Sequence, residues 1–376
     1  MEESEEEDLL NQEDEQTRSV LKSFKSSKIW LPVFIGLGVV TYKLFQNFDP
    51  TALKSIQWSP HSLLWLLLAV IILLLRHLAY TIRLFHLSDK SIGFWRCVRL
   101  IVIWEFCSAI SPSSLGGSAV SVFVLSQEKI GAPKTLAIIV YTVILDSLFF
   151  IISVPVMIVL FGVNVIYPTY HAVTDFSEIG YSLLFLYTII LSYGLFFAYG
   201  LFISPFQFKR ILNLLTRLPF LKKWNTAANK LGDDIIVSAK ELATKDLNFH
   251  LKSFGLTAAA WAGRFLLVNC LIIALIDNIP YDLIDQLKIF GRQIVMFIFM
   301  MFSPTPGAAG FAEFFFGNYI GDYVPKSAAL IIALIWRMLT YYAYLMAGVI
   351  IIPTWLSGVI KRRREERQAK NSHLPG

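Results

Sequence analysis

Two stretches decide the fold of this chain: SPSSLGG at residues 111–117 and SPTPGAAG at residues 303–310, each inside a strongly apolar region. Proline removes a backbone hydrogen-bond donor and glycine has low helix propensity, so a helix that enters either stretch is expected to end there. Within a bilayer, open backbone is tolerated only where it is buried in protein or lines a wet cavity. Interrupted apolar segments at corresponding positions of two halves are typical of transport sites.

The composition indicates a membrane protein. The chain has 376 residues, of which 56% are hydrophobic and only 16% charged, and its mean hydropathy is +0.60. A soluble domain of ordinary composition has about 25% charged residues. We therefore predict an all-α polytopic membrane protein whose apolar runs are long enough to cross a hydrocarbon core of about 30 Å. Full spans are expected at 29–45, 62–84, 135–161, 181–203, 254–276 and 327–353.

The distribution of lysine and arginine predicts the orientation. The 204–252 connection and the chain after residue 353 are rich in both residues, whereas the loops at 162–180 and 277–287 are acidic. Because cations mark the inner side, we predict a multi-pass protein of the inner (cytoplasmic) membrane with both termini cytoplasmic. The acidic N-terminal segment Met1–Glu15 has no small-residue cleavage pattern, so no cleaved signal peptide is expected.

With this orientation, each broken segment begins and ends on one side of the membrane. We therefore predict two re-entrant helical hairpins, at 94–126 from the cytoplasm and at 289–318 from outside, with the Pro/Gly stretches as their tips. Together with six full spans they form an inverted-topology repeat. The expected regions are a cytoplasmic N-terminal segment (1–28), a first half-repeat (29–161), an external loop (162–180), a second half-repeat (181–353, with the insertion 204–252) and a basic cytoplasmic tail (354–376).

The insertion 204–252 has two interpretations. Apolar residues recur at helical spacing among basic ones from Phe208 to Leu218. This pattern favours an amphipathic helix on an anionic membrane surface, while a plain solvated linker is the alternative.

Ionisable residues inside the apolar runs are candidates for a site, because each costs about 2.5–3.5 kcal/mol on insertion scales. One interpretation is structural: the charges form internal ion pairs. The other is functional: arginines and the free N–H groups of the broken helices bind phosphate, while carboxylates tune charge or couple protons. The candidate substrate-binding residues are Arg76, Arg264, Arg337, Pro112, Gly116, Gly117, Pro304, Gly307 and Gly310, and the candidate charge- or proton-coupling residues are Glu105, Asp146 and Glu313.

Other residues are expected at the membrane surface. Arg83, Arg96 and Arg99 are interpreted as cations that reach toward the head groups or follow the preference of cations for the inner side. The tryptophans interpreted mainly as interfacial anchors are Trp30, Trp58, Trp65, Trp95, Trp336 and Trp355. Cysteine contributes no site, because the three cysteines lie in apolar segments without metal-ligand spacing, and no metal or cofactor is expected.

At the two breaks the chain resembles the lysylphosphatidylglycerol synthase transmembrane-region family, also called flippase-like integral membrane proteins. The likeness lies in Pro112 with Gly116-Gly117 and the Asp146 span, and in the 304–313 motif with the Arg337 span, and it covers about 25–355. The resemblance implies a translocase domain that moves an aminoacylated or other anionic lipid between leaflets. In some members that domain is fused to a soluble aminoacyl transferase that makes the lipid.

This sequence departs from the family pattern. It ends at Gly376, soon after the last predicted span, so we expect no transferase domain and no lipid synthesis. Ala308-Ala309 stands where more glycine is expected, and no arginine closely follows Gly116-Gly117. These two departures leave the substrate open between an aminoacyl phospholipid and a polyprenyl-phosphate lipid, bare or glycan-linked.

The leading hypothesis is therefore a lipid flippase or carrier that is not itself an enzyme. The alternative is a membrane-embedded transferase acting on a lipid-linked phosphate or sugar, and a purely structural membrane partner is a third reading. The expected partner is a membrane lipid and not nucleic acid. A homo-oligomer and a separate lipid-modifying enzyme are left open.

Overall fold

The computed structural model describes residues 59–111, 121–128, 130–162, 165, 178–218, 222, 225–276, 282–308 and 310–372. Most of these residues are helical, and none of them forms a strand. The helices are α1 (Pro60–Leu87), α2 (Phe94–Ile110), α3 (Ala132–Phe161), α4 (Glu178–Ala198), α5 (Pro205–Leu215), α6 (Asn225–Ala243), α7 (Leu247–Leu275), α8 (Leu283–Met301), α9 (Phe311–Ile320), α10 (Lys326–Arg337) and α11 (Ala343–Ser372).

Five of the described helices are long and apolar enough to cross a membrane: Pro60–Leu87, Ala132–Phe161, Gly180–Ile203, Leu247–Leu275 and Ala328–Arg362. They coincide with five of the six predicted spans, and the sixth, at 29–45, lies outside the described residues. Two of these spans contain a π-helical segment, Tyr199–Ile203 after α4 and Met338–Tyr342 between α10 and α11.

Local sequence explains where the long helices begin. The side chain of Ser59 accepts a hydrogen bond from the Ser62 backbone N–H, and Pro60 follows at the first helical position. The side chain of Asp246 caps α7 by accepting from the Phe249 backbone N–H. Each cap satisfies one of the donors that a helix N-terminus leaves free.

Helices α1 and α7 pack against each other in antiparallel orientation. Near the end of α1 the Arg83 guanidinium donates to Thr257 Oγ1 at 3.0 Å. At the middle of α1, a Cβ added to Gly263 would lie 3.2 Å from the Cβ of Arg76. The missing side chain at Gly263 therefore lets the two helices approach at the level of Arg76.

The second interrupted segment folds back on itself. α8 ends at Met301, a turn follows at Pro306–Ala308, and α9 starts at Phe311. The Phe299 and Phe315 rings lie 5.3 Å apart, close to the turn, while Arg292 pairs with Asp322 at 3.0 Å, far from it. The two arms are therefore antiparallel and the turn at Gly307 is their tip.

The described part of the first interrupted segment has a matching arrangement. α2 ends at Ile110, and Ser111 is extended. Residues 112–120 lie outside the described part. Arg96, in the first turn of α2, is 3.9 Å from Glu128, just beyond the helical segment 121–126. The two ends of the segment thus meet, as a hairpin requires.

Among the described residues, three connections that were predicted to be cytoplasmic contact one another. Lys134, at the start of α3, pairs with Asp89 at 2.5 Å and with Glu241 of α6 at 2.7 Å, and Lys245 pairs with Asp89 at 2.7 Å. The insertion forms the helices α5 and α6, so the linker alternative is wrong. Phe208 of α5 is buried, while Leu214 and Leu215 are exposed, and the expected placement of this helix on a membrane surface stays a prediction.

Candidate functional site

A cavity of about 290 Å³ lies where the two interrupted segments meet. Ser108, Ala109 and Ser111 line it from the end of α2, and Thr305 and Gly307 line it from the tip of the second segment. The other lining residues come from the rest of the two interrupted segments and from the surrounding helices: Tyr80, Arg83, Ile101, Trp104, Glu105, Thr142, Val143, Asp146, Ser147, Phe150, Ile189, Ile190, Tyr193, Trp261, Arg264, Phe297, Met300, Met301, Phe302, Ser303, Ala308, Trp336, Arg337, Thr340 and Tyr341.

The tip of the second segment is held by charged side chains. Arg337 Nη1 donates to the Gly307 carbonyl oxygen at 2.6 Å, and Glu313 Oε2 accepts from the Gly310 N–H at 2.8 Å. Arg337 Nε also lies 3.8 Å from Glu313 Oε1. Gly307 and Gly310 both have positive φ, 56° and 85°, a region that glycine enters without steric penalty. Arg337 and Glu313 therefore position the tip backbone.

Tyr341 links the two interrupted segments. It lies in the π-helical segment directly after Arg337, and its ring centroid is 4.0 Å from the Arg337 guanidinium. Its hydroxyl donates to the Ala109 carbonyl oxygen at 3.3 Å, near the end of α2. π-helical turns are frequent at functional sites, because the extra residue turns a side chain away from the regular helical register.

Glu105 lies between two arginines. Arg76 Nη2 is 2.6 Å from Glu105 Oε1, and the Arg76 side chain has no exposed surface. Arg264 Nη2 is 3.5 Å from Glu105 Oε2, and 23% of its side chain is exposed. The Arg264 guanidinium lies 5.1 Å from the Trp261 ring centroid and 5.0 Å from that of Phe297, distances that allow cation–π attraction. Arg264 is thus the more weakly paired of the two.

Asp146 is paired with Arg83, a residue that the sequence analysis placed at the membrane surface. Arg83 Nη1 is 2.6 Å from Asp146 Oδ1, which also accepts from Trp261 Nε1 at 3.1 Å. Arg83 is buried and lines the cavity, so its interpretation as a cation at the head groups is wrong. It lies seven residues after Arg76, which places both arginines on the same face of α1. That spacing is the sequence pattern that could have identified Arg83.

Two tryptophans were also misassigned. Trp336 is buried and lines the cavity rather than anchoring the surface. Trp355 is buried, and its Nε1 donates to Glu128 Oε1 at 3.0 Å. Their partners belong to distant parts of the chain, so composition near the helix ends could not distinguish them from interfacial residues.

The structure places the candidate site residues in three groups. Arg264, Arg337, Gly307, Glu105 and Asp146 line the cavity. Arg76 and Glu313 do not line the cavity themselves. Arg76 contacts the lining residue Glu105, and Glu313 lies near the lining residue Arg337. The remaining candidates are Gly310 in the tip, Pro304, which is exposed, and Pro112, Gly116 and Gly117, which lie outside the described residues.

Buried donors at the cavity lack acceptors. Arg264 Nε, Arg337 Nη2 and Trp336 Nε1 are buried and have no hydrogen-bond partner among the described residues. Buried polar groups in proteins are nearly always paired, with protein, water or ligand. None of these three atoms has accessible surface, so an acceptor oxygen could reach them only if the packing around them shifted.

Residues 29–348 match the family described as the lysylphosphatidylglycerol synthase TM region. The chain belongs to this family. The resemblance drawn from the two Pro/Gly stretches is thereby confirmed, and the lysylphosphatidylglycerol synthase TM-region family together with the apolar helices establishes a multi-pass membrane protein. A relative described as a UPF0104 membrane protein, from Archaeoglobus fulgidus, is 24% identical over 293 residues, which are 77% of this chain and 86% of that protein. No solved structure matches the chain.

Proposed function

We propose that this protein is a lipid flippase or transporter that moves an anionic, aminoacylated or polyprenyl-phosphate-linked lipid between leaflets without changing it chemically. The observation that carries the proposal is the position of Arg264. This partly exposed cation faces a cavity built at the meeting point of two helix breaks. A charge held at membrane depth beside open backbone is the usual arrangement of a substrate pathway.

The packing of α1 and α7 supports a transport architecture. These helices correspond to the spans 62–84 and 254–276 of the two proposed half-repeats, and they pack in antiparallel orientation. Equivalent spans of an inverted repeat are expected to run in opposite directions across the bilayer. On this basis the segments 94–126 and 289–318 act as re-entrant hairpins that enter from opposite sides, with both termini in the cytoplasm.

The wall formed by α4 gives the acyl chains a route. Ile189 and Tyr193 of α4 line the cavity, while Leu184, Phe185 and Leu195 are exposed on the outside of the helix. When the head group of a lipid occupies the cavity, its acyl chains stay in the bilayer. The lipid therefore enters and leaves through a gap between α4 and a neighbouring helix. The π-helical segment Tyr199–Ile203 at the end of α4 is a place where that helix can shift.

The proposal is tested with the purified protein in vesicles that contain a fluorescent phospholipid. Dithionite added outside bleaches only the outer leaflet, so the loss of protected fluorescence measures movement between leaflets. We expect faster movement than in protein-free vesicles, and a loss of it in Ser108→Trp, because an indole would fill the cavity that Ser108 lines. Phe206→Trp is the matched control, because Phe206 is exposed on α5.

Two results would contradict the proposal. One is movement no faster than in protein-free vesicles for phosphatidylglycerol, an aminoacyl phospholipid and a polyprenyl phosphate alike. The other is recovery of a chemically altered lipid, detected by mass spectrometry, which would favour a membrane-embedded transferase.

A further inference from the structure

Helix α5 and the turn after it carry an apolar stripe on their accessible side. The stripe consists of side chains at helical spacing that are exposed or half-buried: Ile211, Leu214, Leu215 and Leu218. Leu214 is 62% exposed and Leu215 is 46% exposed, while Phe208 is buried on the other side of the helix. Residues at this spacing share one helix face. A contiguous exposed apolar face marks a surface that contacts a partner or a membrane.

Two arginines lie beside the stripe. Arg210 and Arg217 are both exposed, and their spacing of seven residues places them on one side of the helix, next to Leu214. Lys209 faces the other way, because its Nζ pairs with Asp233 of α6 at 2.5 Å. Leucines flanked by arginines match an anionic bilayer surface: the apolar side chains enter the acyl boundary and the arginines reach the phosphates.

The chain itself brings α5 to the membrane surface. The apolar helix Gly180–Ile203 is long enough to cross a bilayer, and only Ser204 separates it from the first residue of α5, Pro205. Ile203, the last residue of that span, is 73% exposed. The stripe is therefore continuous with the lipid-facing surface of the span, and lipid head groups lie within its reach.

Helix α5 also supports a helix that lines the cavity. The Phe208 ring centroid lies 4.8 Å from that of Phe196 and 5.9 Å from that of Phe197, both on α4. A Cβ added to Gly200, in the π-helical segment after α4, would overlap the Phe208 ring. Tyr193 of α4 lines the cavity. Since close-packed side chains transmit displacements, a shift of α5 would move the end of α4.

We propose that α5 docks on the anionic lipid head groups of the adjacent leaflet, and that this docking holds the end of α4 where lipid movement requires it. Anionic lipid is then an effector bound at a surface outside the cavity, separate from the transported lipid. The docking stands on the exposed face of α5, and its effect on lipid movement rests on the proposed function.

Spin labelling of the whole chain in nanodiscs tests the docking. The native cysteines are buried, so the label attaches to Leu214→Cys. In phosphatidylcholine with phosphatidylglycerol, we expect oxygen to reach the label while an aqueous nickel reagent does not. Val237→Cys is the matched control: Val237 is 52% exposed on α6 between the buried Ile235 and Ala239, so it points away from that core. Its label should stay open to nickel.

Two results would overturn the docking. One is equal nickel access at residues 214 and 237 in nanodiscs that contain phosphatidylglycerol. The other is shielding at 214 that stays the same in pure phosphatidylcholine. In that case neutral lipid, another part of the chain or a second copy covers the face, and spin–spin broadening would identify the second copy.

A charge variant tests the role of the arginines. Arg210→Gln should lower the ratio of docked to undocked label about fivefold, which corresponds to about 1 kcal/mol for one arginine near an anionic surface. Lys230→Gln removes the same charge from an exposed position on α6 and should leave the ratio unchanged. Equal ratios for the two variants would contradict recognition of anionic head groups by α5.

The effect on lipid movement is measured in the dithionite assay. Leu214→Gln leaves the cavity intact but weakens the docking, so it should slow movement severalfold, while Val237→Gln should keep the wild-type rate. Wild-type movement by a Leu214→Gln protein that no longer docks would overturn the effector role and leave the proposed function standing. No movement by the wild type would remove the proposed function and the effector role together, whereas the label alone decides the docking.

Discussion

The Arg337 Nη1 atom donates a 2.6 Å hydrogen bond to the carbonyl oxygen of Gly307, thirty residues earlier in the chain. This contact joins the end of α10 to the tip of the second interrupted segment. A carbonyl in a broken helix lacks its helical donor, and the arginine supplies one. The sequence predicted that Arg337 binds substrate. In the structure Arg337 contacts the Gly307 carbonyl oxygen and thereby positions the tip of the second interrupted segment.

Replacing Arg337 is expected to destabilise the fold. In Arg337→Gln, the Gly307 carbonyl loses a charged donor and Glu313 loses the cation nearest to it. We expect a loss of about 3 kcal/mol in the free energy of unfolding, measured in detergent micelles, since one partner of a buried pair is removed. Arg217→Gln should change it by less than about 0.5 kcal/mol, as for an exposed site. Equal stability of the two variants would show that Arg337 does not hold the tip.

Gly307 is expected to tolerate no side chain. Its φ of 56° disfavours other residues, and an added Cβ would overlap the Tyr341 ring. We expect Gly307→Ala to lower the free energy of unfolding by about 2–4 kcal/mol, from left-handed backbone strain and overpacking together. Gly317→Ala is the control on the same arm, because nothing lies within 4 Å of its added Cβ. It should be neutral or stabilise by up to about 1 kcal/mol, since alanine favours a helix.

The base of the first segment is expected to depend on Glu128 and Trp355. Their 3.0 Å hydrogen bond is buried and joins the segment to α11. In a double-mutant cycle of Glu128→Leu and Trp355→Phe, the two losses of stability should differ from additivity by about 1 kcal/mol. Trp95→Phe, at a residue that is 76% exposed, should be additive with Glu128→Leu. Additive behaviour of the Glu128–Trp355 pair would contradict the coupling.

Asp89 should make stability depend on pH at the predicted cytoplasmic end. Burial opposes its charged form, but hydrogen bonds from Lys134 and Lys245 outweigh that effect and lower the pKa of Asp89 below its ordinary value of 3.8. A carboxyl group whose pKa is lower in the folded state stabilises it above the ordinary pKa. This contribution is then lost as pH falls through the lowered value.

The measurement compares unfolding of the wild type and of Asp89→Asn between pH 7 and pH 3. We expect the difference in stability to be constant near neutral pH and to shrink below about pH 4. A difference that grows on acidification would show that the lysines do not stabilise the charged form. Glu365→Gln, at an exposed residue near the end of α11, provides the control.

The sequence predicted the spans well because hydropathy alone determines them. The apolar runs behind α1, α3 and α7 each continue for more than twenty residues, so the helices exist whatever their neighbours are. The break in the second interrupted segment was predictable for a related reason, because Pro304, Pro306 and Gly307 end a helix locally. These features depend on neighbouring residues in the chain.

The partners of the buried charges could not be predicted in the same way. Glu105 is paired with Arg76 and approached by Arg264, 159 residues away, and this choice depends on how α1 and α7 pack. Arg83 was assigned to the surface because it lies close to the end of its span. Its seven-residue spacing from Arg76 indicates the shared helix face, but its partners Asp146 and Thr257 follow from the packing of α1 against other helices.

The measurement that tests the central claim most directly is a structure of the protein in nanodiscs made from phosphatidylglycerol-containing lipid. The account predicts a lipid phosphate in the cavity, with an oxygen about 2.8 Å from the Arg264 guanidinium, between the Gly307 turn and Ser111. A cavity filled only by hydrocarbon chains, with Arg264 in direct contact with both Glu105 oxygens, would contradict it.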